Sequence, residues 1–323
     1  MSTQTINPIH AVGIGIDVSK NKLDLAIRLS DQNYLESSFK NDKSGIRSIF
    51  AFLKQQEATK VAPLVIESTG DYHLRSALMI KQRDYNVKVI NPITTKRYQK
   101  SSIRNAKTDR IDAKRLADVA VLERDLPDFN DEIDYIRARK LVSLLASLEK
   151  SAQQLNASLT LFRETSKVIG LKHQTGELEK ALKNINSQIS RTKLELALML
   201  PEKTRQMAEE TKGLTVEKLA VIHVLIGDKH FDNHDQLTAF FGLDIAIRKS
   251  GKWVGKSKLS KRGNSYARKI LYQIAWGLKM HNEIFQATYK KNQDNKKHYN
   301  ANLMILARKF LRFYYSYILK VQN

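Results

Sequence analysis

AVGIGIDVSKNKLDLAIRL, residues 11–29, decides the fold of the first third of this chain. Its first half, AVGIGIDVS (11–19), is an apolar run with an aspartate, Asp17, near its end, the pattern of a buried strand. KLDLAIRL (22–29) follows after a short turn containing Asn21, so the two runs predict a β-hairpin. Asp24, on the second run, is a candidate extra member of an acidic cluster with Asp17, although its alternation with Leu23 and Leu25 places it on the solvent side.

Outward from the hairpin, NYLESSFKN (33–41) predicts a third strand. Residues 43–56 carry Ile46, Ile49, Phe50 and Leu53 at the three-to-four spacing of an amphipathic helix. VAPLVIES (61–68) is a short apolar run closed by Glu67, a helix is expected over 71–83, and VKVINP (87–92) is a strand stopped by Pro92. NAKTDRIDAKRLADVA (105–120) has Ala, Leu and Val at helical intervals and predicts a helix starting near Thr108. Hairpin, third strand, helix, strand, helix, strand, helix is the order of a ribonuclease H-like domain, placed here over residues 1–126.

After Pro127 the periodicity changes. Apolar residues fall at 133, 136, 141, 144, 148, 155, 159 and 162, then at 178, 182, 185, 189, 196 and 199, with Gly170 and Gly176 between the runs. These steps predict an antiparallel helical hairpin of coiled-coil type over 127–200, a spacer or a dimerisation arm. Residues 201–323 read as a mostly helical third domain with a Gly/Lys/Ser-rich interruption at 249–265 and a closing helix at 300–320. The fold class is thus α/β plus α.

Charge narrows the partners. The chain has 323 residues and a formal net charge of +22, an excess that favours nucleic acid, because each neutralised phosphate releases counterions. An anionic membrane surface is the second candidate, but no apolar run approaches the ~20 residues that span a bilayer. The N-terminal residues lack the basic-then-apolar pattern of a signal peptide, so a cytoplasmic protein is expected. Cysteine is absent, which removes disulfides, thiolate chemistry and Cys-type zinc sites. His230 and His234 lie among loop-forming residues and do not predict zinc. No GxxxxGK[ST] occurs, and 13 glycines are too few for the loops of an actin-like ATPase. Any metal should be hard and oxygen-bound, hence Mg²⁺ or Mn²⁺.

Asp109 and Asp112 share a helix face at i,i+3. They are either the acids of a solvated helix paired with Lys107, Arg110, Lys114 and Arg115, or ligands of a divalent metal shared with other carboxylates. Asp17 and Glu67 are the candidates to join them, since both sit near the ends of apolar strands that the hairpin order sets side by side. Four carboxylates at one point cannot all ionise without cations. Two metals ~4 Å apart would resolve that and clamp the attacking and leaving oxygens of a phosphodiester. The alternatives are local: Asp17 capping the DVSK turn and Glu67 capping the helix that follows.

Two basic stretches are candidate nucleic-acid contacts. One holds Lys96, Arg97, Lys100, Arg104 and Lys107. The other, IRKSGKWVGKSKLSKRGNSYARK (247–269), holds Arg248, Lys249, Lys252, Lys256, Lys258, Lys261, Arg262, Arg268 and Lys269 with no acid, and its Trp253 and Tyr266 are able to stack on bases. Of its serines 250, 257, 260 and 265, Ser250 is the best placed for a covalent role, being followed by Gly251 and flanked by Arg248 and Lys249. Hydrogen bonding to phosphate is the alternative for each.

In combination, GIDVSKNKLDLAI, VIESTGDYHLRSALMI, VKVINPITTKRYQKSSIRNAKTDRIDAKRLA and LTAFFGLDIAIRKSGKWVGKSKLSKRGNSYARKILYQIA resemble the DEDD-type transposases of bacterial insertion sequences. That family includes DNA invertases that switch pilin genes and comprises recombinases guided by a structured bridge RNA. The resemblance implies a RuvC-like domain, a coiled-coil arm and a transposase domain. It carries the acidic tetrad onto Asp17, Glu67, Asp109 and Asp112, with Mg²⁺ or Mn²⁺, and the serine of the G-L-x6-S-G segment onto Ser250. It further implies donor and target duplex DNA, a bridge RNA, and a homotetramer in which the tetrad of one subunit meets Ser250 of another. The chain departs from the family at KGLTVEK (212–218), where a Gly-Ile-Gly type hairpin is usual, and at Ile245, where proline is usual. A RuvC-like nuclease using water as nucleophile, a non-catalytic nucleic-acid-binding protein and a DNA invertase of the same family are the alternatives.

Overall fold

A computed structural model describes residues 10–68, 70–92, 109–130, 132–246, 249–250, 253–254 and 258–320. The chain divides into two compact units, Met1–Asp131 and Glu132–Asn323. The first contains β1 (Ala11–Val18), β2 (Lys22–Leu29), β3 (Tyr34–Lys40), α1 (Lys43–Gln55), β4 (Leu64–Glu67), α2 (His73–Lys81), β5 (Val87–Ile90) and α3 (Asp109–Leu122). Its sheet runs β3-β2-β1-β4-β5, antiparallel across the first three strands and parallel from β1 to β5. Order and direction are those of a ribonuclease H-like domain.

The two faces of this sheet are filled differently. Ile14, Ile16, Leu23, Leu25 and Ile27 are fully or almost fully buried on one face. Phe39, in register with Leu23, packs edge-on against Phe52 of α1, which places α1 over that face. Asp42 caps α1 by accepting from the Gly45 amide at 2.8 Å, and Ile46, Ile49 and Leu53 form its buried stripe. The opposite face carries Gly13, Gly15, Ala26 and Val65, and α3 lies on it through Ala113, Leu116, Ala117 and Ala120. Small residues on both sides let the helix backbone approach the strand.

Asp24 lies on this covered face and is only 3% exposed. The solvent position expected from its alternation with Leu23 and Leu25 is therefore corrected. The alternation is real, but α3 covers the second face of the sheet as well.

In the second unit, α4 (Ile133–Ile169) and α5 (Gly176–Leu198) form an antiparallel pair. Glu149 meets Lys193 at 2.8 Å and Arg163 meets Glu179 at 2.5 Å, so the register is constant along the pair. Gly170, at φ 68°, takes the left-handed position that ends α4. There follow α6 (Glu202–Glu210), α7 (Val216–Ile226), α8 (His234–Phe240), the two-residue strands β6 (Ile245–Ala246), β7 (Lys249–Ser250), β8 (Trp253–Val254) and β9 (Lys258–Leu259), then α9 (Ser265–His281), α10 (Glu283–Asp294), α11 (Tyr299–Tyr314) and a π turn at Tyr315–Leu319. α7 is apolar on nearly all sides and forms the centre of this unit. Ile270, Ile274 and Leu278 of α9 and Leu303, Leu306 and Phe310 of α11 are buried in the same core, as are Val142, Leu145 and Leu196 of the α4–α5 pair. His223 of α7 bonds through Nδ1 to the Tyr314 hydroxyl at 2.8 Å inside it.

Candidate active site

Register places the strand acids. Ile14, Gly15 and Ile16 of β1 lie beside Leu64, Val65 and Ile66 of β4, so the next step sets Asp17 beside Glu67 on neighbouring parallel strands about 4.8 Å apart. On the other flank Asp17 pairs directly with Asp24 of β2. Residues opposite each other share a face, so Asp24, Asp17 and Glu67 form a row across three adjacent strands. Asp17 and Glu67 are each partly buried.

The glycines of β1 fix where α3 crosses this row. A Cβ on Gly13 would lie 2.7 Å from the Ala117 carbonyl oxygen, and one on Gly15 would lie 2.1 Å from that of Ala113. Two residues along the strand thus correspond to four residues back along the helix. The steps match, at about 6.6 Å for two strand residues and 6.0 Å for one four-residue helical stretch. Continued once more, the track brings Asp17, the next residue on that face, to the first turn of α3, which begins Asp109-Arg110-Ile111-Asp112.

Polar contacts hold the helix in this place. Asp118 accepts from Arg28 Nη1 at 2.9 Å and from the Tyr34 hydroxyl, and Lys114 meets Glu36 at 2.6 Å. Burial and the neighbouring Asp118 push the Tyr34 phenol up to about 12, so it remains a donor at neutral pH. Beyond α3 the chain is tied to β5 by Lys88 and Asp128 at 2.6 Å, and Lys88 holds that carboxyl below the usual range. Asp24 is itself neutralised: Lys22 Nζ lies 2.8 Å from Oδ1, and the Ser38 hydroxyl donates to the same oxygen.

Asp112 accepts from Arg115 Nη1 at 2.8 Å, the ion pair expected of a charged helix, whereas Lys114 turns to Glu36. Among the described residues no three acidic or histidine side chains are close enough together to hold a metal ion. The Asp109 backbone opens α3, and its side chain lies outside the described residues. The donors in the row are all carboxylate oxygens, which suits a hard divalent cation and no soft one.

Ser250 sits in the second unit, where β7 pairs with β8 through Lys249 with Val254 and Ser250 with Trp253. A second ladder, Ile245 with Leu259 and Ala246 with Lys258, closes the base of the same excursion. The side chains of Lys249, Ser250 and Lys258 lie outside the described residues, as do Lys96, Arg97, Lys100, Arg104, Lys107, Arg248, Lys252 and Lys256 altogether. Lys261 and Arg262 are exposed. Asp244, just before the excursion, accepts from the Ser260 hydroxyl, so that serine is occupied in fastening the loop base.

Sequence reasoning missed the Arg28–Asp118–Tyr34 contact and the position of Asp24. The second was recoverable, because Asp17 and Asp24 are equidistant from the centre of the turn and a tight hairpin must pair them.

A ribonuclease H-like sheet with acids aligned at its strand ends, in a strongly cationic chain, defines a protein of nucleic-acid processing. Residues 14–165 match the family model of DEDD-type IS110 transposases, and residues 206–290 match the model of the transposase IS116/IS110/IS902 family. The chain belongs to this transposase family and is an enzyme acting on DNA. No curated protein matches the sequence. Among the described residues no helix is long and apolar enough to cross a membrane.

Proposed function

We propose that this transposase cuts and rejoins DNA of an insertion sequence by using Asp17, Glu67, Asp109 and Asp112 as a metal-binding tetrad and Ser250 as the nucleophile. The observation that carries the proposal is the glycine track, which sends Asp17 to the turn of α3 that begins Asp109-Arg110-Ile111-Asp112. Mg²⁺ or Mn²⁺ held by these oxygens would polarise the phosphodiester and favour the ionised nucleophile.

Each side chain then has a task. Asp17 and Glu67 project from rigid strands and set the position of the scissile phosphate; Asp109 and Asp112 close over it from the helix. Ser250 Oγ attacks phosphorus and gives up its proton, the 3′-oxygen leaves and takes one up, and the products are a phosphoserine ester to the 5′ end and a free 3′-hydroxyl. Attack of an exchanged strand's 3′-hydroxyl on that ester restores Ser250 and rejoins the DNA. Lys249, Lys252, Lys256, Lys258, Lys261, Arg262 and Arg248 bind backbone phosphates, with Lys96, Arg97, Lys100, Arg104 and Lys107 contributing a second basic stretch. In this account a bridge RNA selects donor and target, residues 127–200 act as a coiled-coil arm, and a homotetramer joins the tetrad of one subunit to Ser250 of another.

Cleavage of a donor duplex in Mg²⁺, in Mn²⁺ and in chelator tests the metal role. Activity should require either ion, and Asp112→Asn should abolish it while leaving the circular dichroism melt within a few degrees of the parent. Normal cleavage by Asp112→Asn would overturn the tetrad. Full cleavage by Ser250→Ala would instead favour the nuclease alternative, with water as nucleophile.

A further inference from the structure

The second unit contains a cleft of which the catalytic account uses only Lys261, as a phosphate contact. It lies between α9, α11 and β9, with a volume of about 460 Å³. Its rim is cationic: Lys261, Arg268 and Lys269 line it, and no acid does. Arg268 is held in place by donating from Nη1 to the carbonyls of Gly263, at 2.8 Å, and Phe241, at 3.3 Å. These neutral acceptors orient the guanidinium without cancelling its charge. Lys269 meets Glu149 at 2.8 Å, but that carboxylate is shared with Lys193, also at 2.8 Å. Burial opposes the charge on Glu149, and the hydrogen bonds from Lys193 and Lys269 overcome it, holding its carboxyl below the usual range. One anion therefore faces two lysines, and the surroundings remain positive.

The rest of the wall is of another kind. The Tyr272 ring, Leu259 and Met304 supply an aromatic and apolar surface, and Tyr272 is steadied by its hydroxyl donating to Asn300 Oδ1 at 3.2 Å. Cations at the rim and a ring inside match the two halves of a nucleotide, phosphate and base. A cleft of this volume accommodates one nucleotide, whereas a duplex is too broad to enter. Leu259 pairs with Ile245, and five residues lead from there to Ser250, a span of at most about 18 Å. A strand at Ser250 reaches the cleft within a few nucleotides.

We infer that the cleft seats one unpaired nucleotide of the DNA strand next to the phosphodiester at Ser250, with its base on Tyr272 and its phosphate between Lys261 and Arg268. The location beside the reacting strand rests on the role proposed for Ser250; the binding itself does not.

The test is fluorescence anisotropy of the full-length protein in chelator, with labelled oligo-dT, a duplex of equal length and oligo-rU. Tyr272→Ala should weaken oligo-dT binding about tenfold and leave duplex binding unchanged, whereas Tyr272→Phe, which keeps the ring, should match the parent. Lys261→Gln, at an exposed position, should reduce the slope of log affinity against log salt for oligo-dT by about 0.7. Equal binding by Tyr272→Ala and the parent would overturn the inference. So would equal weakening on duplex and single strand, a Tyr272→Phe variant as weak as Tyr272→Ala, or Tyr272-dependent binding that favours oligo-rU over oligo-dT. No cleavage occurs in this assay, so a failure of the catalytic role of Ser250 would leave its outcome untouched.

Discussion

Substituting Gly15 by alanine is the sharpest structural perturbation of the site that touches none of its acids. The added Cβ would lie 2.1 Å from the Ala113 carbonyl oxygen, 2.3 Å from the Ala117 nitrogen and 2.7 Å from the Leu116 Cβ. Two of these three are backbone atoms, so no side-chain rotation relieves the clash. To reach even a tight contact near 3.0 Å, α3 must move off β1 by about 1 Å. Overpacking of this kind costs roughly 1–3 kcal/mol of stability. On the tetrad proposed above, the effect on chemistry should be larger, because the same movement carries the first turn of α3, with Asp109 and Asp112, away from the strand ends at Asp17 and Glu67. A misplacement of about 1 Å is able to lower a rate about 100-fold. Gly13→Ala, whose nearest contact is 2.7 Å, should give a smaller defect. Gly176→Ala, with nothing within 4 Å and a helical position, should be neutral or stabilise by up to about 1 kcal/mol. Urea denaturation and metal-dependent cleavage of a donor duplex should rank the three in that order. A Gly15→Ala variant with parental stability and parental cleavage would refute the close crossing of α3 over β1.

Two further outcomes follow from charge. Burial pushes the His223 imidazole below its ordinary 6.5, so its stabilising contribution is present above that pH and is lost as pH falls through the lower folded-state value. Melting temperature should therefore decline below about pH 6.5, and a His223→Gln variant should show a shallower decline in the same window. Replacing Lys256, Lys258 and Lys261 together with glutamine should lower the salt slope of duplex binding by about 2 to 3, roughly 0.9 for each lost phosphate contact. An unchanged slope would place these lysines away from the DNA.

Much of the first unit was legible because its strands alternate with amphipathic segments. The hairpin at 11–29, the helix at 43–55 and the strands ending at Glu67 and Ile90 all follow from local pattern. What pattern hides is the second buried face. Gly13, Gly15 and Ala26 carry almost no apolar side chain, so a face they share reads as unpacked. Yet their smallness is what admits α3 to within backbone contact. Asp24 was misplaced for that reason. It sits under a helix with its charge met by Lys22, a pairing on its own strand face. The antiparallel helices were recognisable from periodicity, though α4 runs on to Ile169, past the last apolar step at Phe162, until Gly170 stops it. The short ladders around Ser250 escaped because a run of lysines, serines and glycines has no alternation to detect. The link from Asp109 and Asp112 to Asp17 was only one of two open alternatives in sequence; the glycine track favours it, while the Asp112–Arg115 pair keeps a trace of the other.

Mapping the covalent protein–DNA adduct by mass spectrometry, in cleavage reactions trapped before rejoining, tests the catalytic proposal most directly. The account predicts a phosphoester between Ser250 and the DNA 5′ end, formed only with divalent metal. Ser250→Ala should give no adduct, and Ser257→Ala, Ser260→Ala and Ser265→Ala should each retain it. Mixing Ser250→Ala with Asp112→Asn subunits should restore part of the adduct, since some assemblies would then pair an intact tetrad with an intact serine. An adduct on any other residue, or full cleavage by Ser250→Ala with no adduct at all, would contradict it.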